Sequence, residues 1–286
     1  RLAAELEWLA VALLLALVTL EIHQLFAPAP PTVEAVAASV RLQLAQIALV
    51  ADAWLLLGWG LLVANRRLAR SSLELAGRLV ILAGLAAALA GSGLAVNPLW
   101  NHQRVGSTPL LNVLAAAYAL PAMLAVAGGA EVRRHGGRRL PPLASAAALL
   151  LGFAWISLTV RQLFHGTFLD TGPAGAAERY AYSAAWVLYG VALLLAGIAR
   201  RGPILRYGSL AVMLLAVAKV FLYDTARLSD LYRVLSFLGL GASLLLLGFL
   251  YQRFVFRPVE SVGALQRDPG SSDLRGADRP SESDVR

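Results

Sequence analysis

The sequence predicts an all-α integral membrane protein, a helical bundle of about eight transmembrane helices. Three observations carry that prediction. Hydrophobic residues make up 58% of the 286 residues and charged residues only 15%, with a mean hydropathy of +0.67. A soluble domain carries nearer about 25% charged residues, because it must wet its whole surface. Long apolar stretches recur at roughly the 20 residues that a bilayer crossing needs. Between them the basic residues fall in short runs: Arg66, Arg67 and Arg70; Arg133, Arg134, Arg138 and Arg139; Arg200, Arg201 and Arg206.

Eight stretches can be drawn: Trp8–Phe26, Leu44–Ala64, Leu75–Val96, Leu110–Gly128, Pro142–Phe164, Tyr182–Ala199, Ile204–Tyr223 and Val234–Phe254. The first follows Glu5 and Glu7 and so lacks the basic flank of a signal peptide. The second and third flank the first arginine run, the fourth and fifth flank the second, and the sixth and seventh flank the third. The eighth leads into Arg253 and Arg257. The runs are continuous and do not alternate apolar with polar, which predicts helices in place of barrel strands. Only a helix satisfies its own backbone groups within one lipid-facing segment.

The arginine runs fix an expected orientation. The loops between them are less basic and carry Glu34, Asp170, Glu178, Asp224 and Asp230. Cytoplasmic loops collect Lys and Arg, so both ends of the chain are expected in the cytoplasm. The net charge of +8 is therefore a topology signal, and no nucleic-acid partner is expected, because phosphate-tracking surfaces cluster their charge on one face. The expected partners are the lipid bilayer and an envelope protein. The chain has no Cys, which excludes disulfides, thiolate metal sites and a cysteine nucleophile. It begins at Arg1 without Met, which reads as the C-terminal part of a longer protein.

The chain also resembles itself. Ala53-Trp54-Leu55-Leu56-Leu57-Gly58 parallels Ala185-Trp186-Val187-Leu188-Tyr189-Gly190, Gln24-Leu25-Phe26 parallels Gln162-Leu163-Phe164, and Asn112-Val113-Leu114 lines up with Arg233-Val234-Leu235. The offset falls from 138 to 132 to 121, as differing loop lengths would require. This predicts two parallel four-helix units, residues 1–128 and 129–256, like the halves of some transporters. From residue 257 the chain is rich in Pro, Ser, Gly and mixed charge, which predicts a disordered cytoplasmic tail over 257–286.

The candidate polar site is Lys219, Asp224, Arg233, Glu178, Arg161, His165 and Trp186. Lys219 is the only lysine and lies inside the seventh stretch. A buried ammonium at membrane depth costs a few kcal/mol or more and needs a partner; snorkelling to the interface is the plainer reading. Asp224 is five residues on, about 7.5 Å along an α-helix and on another side of it. Arg161 and His165 end the fifth helix, Asp170, Glu178 and Arg179 are placed in the following loop, and Tyr180, Tyr182 and Ser183 open the sixth helix. Asp224–Arg227 and Asp230–Arg233 have the spacing of local ion pairs, and such charges ordinarily just hold loops in place. The first half offers a thinner set at the same depth: Glu21, His23, Asn97, Trp100, Asn101, His102 and Arg104. No histidine has the spacing of a metal ligand pair, so neither metal nor cofactor is expected. Gly84, Ala88, Gly91 and Gly93 in the third helix, and Gly239, Gly241 and Ser243 in the eighth, predict close helix packing.

One set of residues resembles a known family. The run Glu178-Arg179-Tyr180-Ala181-Tyr182-Ser183-Ala184-Ala185-Trp186, then Leu205-Arg206-Tyr207-Gly208, Lys219-Val220-Phe221-Leu222-Tyr223-Asp224, Leu231-Tyr232-Arg233-Val234-Leu235-Ser236-Phe237 and Tyr251-Gln252-Arg253 is similar to the C-terminal signature of bacterial multi-pass membrane proteins grouped as domain of unknown function 2339. The resemblance is specific over residues 178–254 and looser before them. It singles out Glu178, Trp186, Lys219, Asp224 and Arg233, and it implies a membrane protein without implying an activity.

No phosphate-binding loop, nucleotide fingerprint, Gly-x-Ser-x-Gly elbow or His-Glu-x-x-His is present. The sequence therefore predicts a non-catalytic envelope scaffold or partner-binding protein. A transporter or channel component using Lys219 is the alternative. A second alternative is an envelope enzyme acting on a lipid-linked or glycan substrate at the outer face, resting on His165, Glu178, Asp224 and Arg233.

Overall fold

A computed structural model of the chain describes residues 2–27, 43–200, 202–224 and 230–254. The tail from residue 257, together with Glu34 and Arg227, lies outside the described residues. So do the side chains of Asp224, Asp230 and Arg233. Among the described residues eight helical elements follow one another: α1 (Leu2–Leu25), α2 (Gln43–Leu68), α3 (Ser71–Ala86, continued as a π-helix over Ala87–Ala95), α4 (a π-helical turn Ala115–Ala119, then Leu120–Arg134), α5 (Leu140–His165), α6 (Ala176–Ala199), α7 (Pro203–Ala218, continued as a π-helix over Lys219–Asp224) and α8 (Asp230–Phe254). Among the described residues, seven of these helices are long and apolar enough to cross a membrane, and Phe237–Arg253 is a shorter apolar helix. The all-α membrane bundle that the composition predicts is thus the architecture observed. Its residues fall into two compact units, Arg1–Ser236 and Phe237–Arg286.

Helices α2 and α3 run antiparallel, because their connection is too short for anything else. Only Ala69 and Arg70 separate α2 from α3, with Ala69 at φ 50°. Close contacts then march in opposite directions along the two helices. A Cβ on Gly77 would lie 2.9 Å from Leu62, one on Gly84 2.8 Å from Leu55, and one on Gly91 2.6 Å from Ile47. These glycines let two backbones approach where lipid supplies no hydrophobic drive. The expected small-residue seam is therefore present at Gly84 and Gly91.

Three apolar clusters fill the bundle, the smallest joining Val11 of α1 to Ala76 and Val80 of α3. Of the larger two, one joins Leu44, Ala48 and Ala51 of α2 to Ala88, Leu114, Ala117, Tyr118, Leu151 and Leu158. The other joins Leu55 and Leu62 to Ile81, Leu85, Leu124, Val132 and Ala144. Outside them, Leu9, Leu13, Leu17 and Leu20 of α1 are all exposed, as a lipid-facing helix requires.

Two boundaries differ from the sequence expectation. The fourth helix does not begin at Leu110, which sits at φ 72° in the preceding loop. Asn112 starts it instead: its Oδ1 accepts the backbone N–H groups of Leu114 (2.8 Å) and Ala115 (3.2 Å), filling donors that a helix start leaves open. Helix α6 begins at Ala176, so Glu178 and Arg179 are helical and not in a loop. A carboxylate in a first turn is favoured by the helix dipole.

The glycine seam makes a stability prediction. A Cβ on Gly58 would meet the Gly77 carbonyl and the Ile81 amide at 2.9 Å, and backbone cannot rotate away. Gly58→Val is expected to lower stability by about 1–3 kcal/mol in thermal unfolding of the micelle-solubilised protein. Gly60→Ala, where nothing lies within 4 Å, should leave stability unchanged or slightly raised.

Candidate functional site

The polar residues concentrate at the end of the bundle away from the arginine runs, where loops 96–112 and 166–175 close the helices. A helix end leaves carbonyls without partners, and each costs free energy if buried unpaired. At the end of α3 four successive carbonyls are answered by four side chains. Asn97 donates to Gly93 O (2.9 Å), Trp100 Nε1 to Leu94 O (3.0 Å), Asn101 to Ala95 O (3.1 Å) and Gln103 to Val96 O (2.5 Å). Gln103, 2% exposed, also accepts the Leu44 N–H at 3.2 Å. Asn97, Trp100 and Asn101, singled out in the sequence as a possible site, are capping groups.

The two loops are then fastened to each other. Arg104 and Phe168 form an isolated antiparallel bridge, Val105 N donates to Thr167 O at 3.0 Å, and the His102 ring stacks on Phe168 at 4.6 Å while bonding Asp170 at 2.8 Å. Gln162 of α5 donates to Gly106 O (3.0 Å) and accepts from Asn112 (2.6 Å). His23 pairs with Gln46 across α1 and α2 at 2.6 Å.

Three of the predicted residues meet beneath this cap. Glu178, 1% exposed, accepts Arg161 on Oε1 at 3.0 Å and contacts His165 Nε2 through Oε2 at 2.9 Å. Arg161 spends its other nitrogens on Leu169 O (2.9 Å) and Gly172 O (2.8 Å). One guanidinium thus ties α5 to α6 and shapes the loop between them. A buried carboxylate needs such charge-assisted bonds on both oxygens.

Lys219 lies one helix away. The α-helical arithmetic that sets Asp224 on another side of the helix does not apply, because α7 turns π-helical at Lys219. Its Nζ donates to Arg179 O and to Ser183 Oγ, both at 2.8 Å. The lysine reaches into the protein, against α6. Trp186 is a packing residue: it donates Nε1 to Ser157 Oγ at 3.1 Å and rests on Phe153 at 4.9 Å. Among the described residues no three metal-ligating side chains gather.

Two acids escaped the sequence reading. Asp52 of α2 is 3% exposed, and neither carboxylate oxygen has a hydrogen-bond partner among the described residues. It lies nine residues into α2, about 14 Å along its axis and so near mid-bilayer. The criterion that picks out Lys219, a charge inside an apolar stretch, would have found it. Glu131, 1% exposed, bonds Arg66 of α2 and, at 3.1 Å, Arg134. It is a lone acid inside a basic run, with Arg134 and His135 three and four residues on.

The family model for predicted membrane proteins of domain of unknown function 2339 matches residues 1–254. The chain belongs to this family. The match takes in the first half of the chain as well as the stretch from residue 178, where the resemblance is most specific. No curated protein and no solved structure matches the chain.

Glu178 makes the cluster testable. Glu178→Gln leaves Arg161 and His165 without their carboxylate and should cost about 3–5 kcal/mol in unfolding of the detergent-solubilised protein. Arg161→Gln should cost a similar amount. The double variant should be far less than additive, since both residues serve one bond network.

Proposed function

We propose that this protein is a non-catalytic, multi-pass protein of the bacterial inner membrane that presents a rigid end cap to an envelope protein partner. The observation that carries the proposal is the way the cap's polar groups are spent. Gln103, Asn97, Asn101 and Trp100 answer helix carbonyls, and Glu178 holds Arg161 and His165 on its two oxygens. An enzyme at this end would need acid–base groups left open to a substrate, and these are committed to structure. With the arginine runs in the cytoplasm, the cap faces outward. It offers Trp100, 59% exposed, and Leu111, 84% exposed, and exposed aromatic and apolar residues on a rigid base suit protein docking.

A photo-crosslinking residue at Leu111 is expected to give one discrete protein adduct in cells, lost in Trp100→Glu at unchanged membrane abundance. The same adduct from a residue at Arg139, in the opposite end, would reject the proposal.

Transport is the second reading, favoured by Asp52. An acid at membrane depth with both oxygens unpartnered among the described residues resembles the groups that carry protons through membrane proteins. Trp155 Nε1 and Thr159 Oγ1 are further buried polar atoms without partners among the described residues, and Trp155 packs on the cluster that holds Ala48 and Ala51. A repeat of two four-helix units, residues 1–128 and 129–256, would fit this reading, and equivalent contacts favour such a repeat. Trp54 donates to Thr19 Oγ1 at 3.0 Å as Trp186 donates to Ser157 Oγ at 3.1 Å. Gly58 approaches Gly77 and Ile81 as Gly190 approaches Ser209 and Met213. The π-helical ends of α3 and α7 begin at Ala87 and at Lys219, again 132 residues apart, the spacing of the two tryptophans.

In proteoliposomes under an imposed pH gradient, Asp52→Asn is expected to abolish proton-coupled flux while the protein still inserts and folds. Lys219→Met is expected to act on the same assay if the lysine also serves the pathway. Flux unchanged in Asp52→Asn would end the transport reading.

A further inference from the structure

At the arginine-rich end, α4, α5, α6 and α7 line an open groove of about 740 Å³, within the size range of small-molecule sites. Its walls are apolar, formed by residues such as Met123, Leu149 and Ile204. The two hydroxyl groups in the wall are already spent: Ser145 donates to Pro141 O at 2.9 Å and Tyr189 to Leu149 O at 3.0 Å. An apolar chain is the occupant those walls suit.

The rim has the opposite character. Arg133, Arg138 and Arg200 stand at it, all exposed, and none has a side-chain hydrogen bond or ion pair among the described residues. The neighbouring acids are committed elsewhere: Glu131 to Arg66 and Arg134, Glu74 to Arg78, and Glu7 to Arg70. Helices α5 and α7 begin here, at Leu140 and Pro203, and α4 and α6 end here, at Arg134 and Ala199, so the helix dipoles offset one another and the arginines set the charge of the rim. Three uncompensated guanidinium groups at the membrane interface, over an apolar groove, call for a ligand with an anionic head and a hydrocarbon tail.

We infer that this groove is a binding site for an anionic phospholipid, its phosphate held by Arg133, Arg138 and Arg200 and its acyl chain lying between α4, α5, α6 and α7. The inference does not depend on whether the protein docks a partner or transports. The full chain in neutral detergent, titrated with fluorescent phosphatidylglycerol, should bind it saturably and much more tightly than phosphatidylcholine of the same chains. Neutralising the rim with Arg133→Gln, Arg138→Gln and Arg200→Gln should weaken binding about fivefold per arginine and about a hundredfold together. Ala130→Trp, which fills the groove without touching charge, should weaken it as well. The control Arg67→Gln with Arg139→Gln removes two arginines of the same end outside the groove and should change nothing. Equal binding of phosphatidylcholine, an unaffected triple variant whose thermal unfolding matches the parent, or inorganic phosphate binding as tightly as the lipid would each overturn the assignment.

Discussion

The rest of this structure depends on one constraint: a polar group that leaves water at a helix end must find a partner in the protein. Lipid offers none. At the end of α3 four consecutive carbonyls are met by four side chains from the next seven residues, Asn97 to Gln103. Gln103 then reaches back to Leu44 and starts α2 from the same point. The loop is consequently not a flexible tether between spans but the piece that sets where two helices end and begin.

The buried charges obey the same rule at higher stakes. Glu178 and Glu131 lie at opposite ends of the bundle, each 1% exposed, and each is held by an arginine from a neighbouring helix. Removing either partner from such a pair leaves a charge stranded, which is why these contacts hold helices in register even where their net contribution to stability is small. Lys219 is handled differently. It has a backbone carbonyl and a hydroxyl on α6 as acceptors, and the π-helical turn that begins at it changes the direction in which α7 presents its side chains. Asp52 breaks the rule among the described residues, and the cost of such an exception is what makes it a functional candidate.

Between the helices the balance is set by size. Gly58, Gly77 and Gly84 remove the Cβ atoms that would hold α2 from α3, so dispersion over closely apposed backbones replaces the hydrophobic drive that lipid cancels. Around the outside, leucines point into lipid. The arginine-rimmed groove is the place where that outer surface folds inward and meets uncompensated charge.

The sequence by itself determined the membrane class, the helical architecture, the placement of the arginine runs and the family, because these follow from composition, run length and local signature, all of which are one-dimensional. It also marked Glu178, Arg161, His165 and Lys219 as unusual for their depth. The tertiary structure alone decided which of them touch: Glu178 with Arg161 and His165 depends on the turn between α5 and α6, and the grip of Lys219 on Arg179 and Ser183 on the π-helical turn in α7. It turned Asn97, Trp100 and Asn101 from a candidate site into caps, since spacing along a chain does not say which carbonyl a side chain will meet. It also exposed Asp52, whose significance is not that it lies in an apolar run but that nothing described around it answers its charge. Partners are a property of three dimensions, and in a membrane they are what separates a structural charge from a functional one.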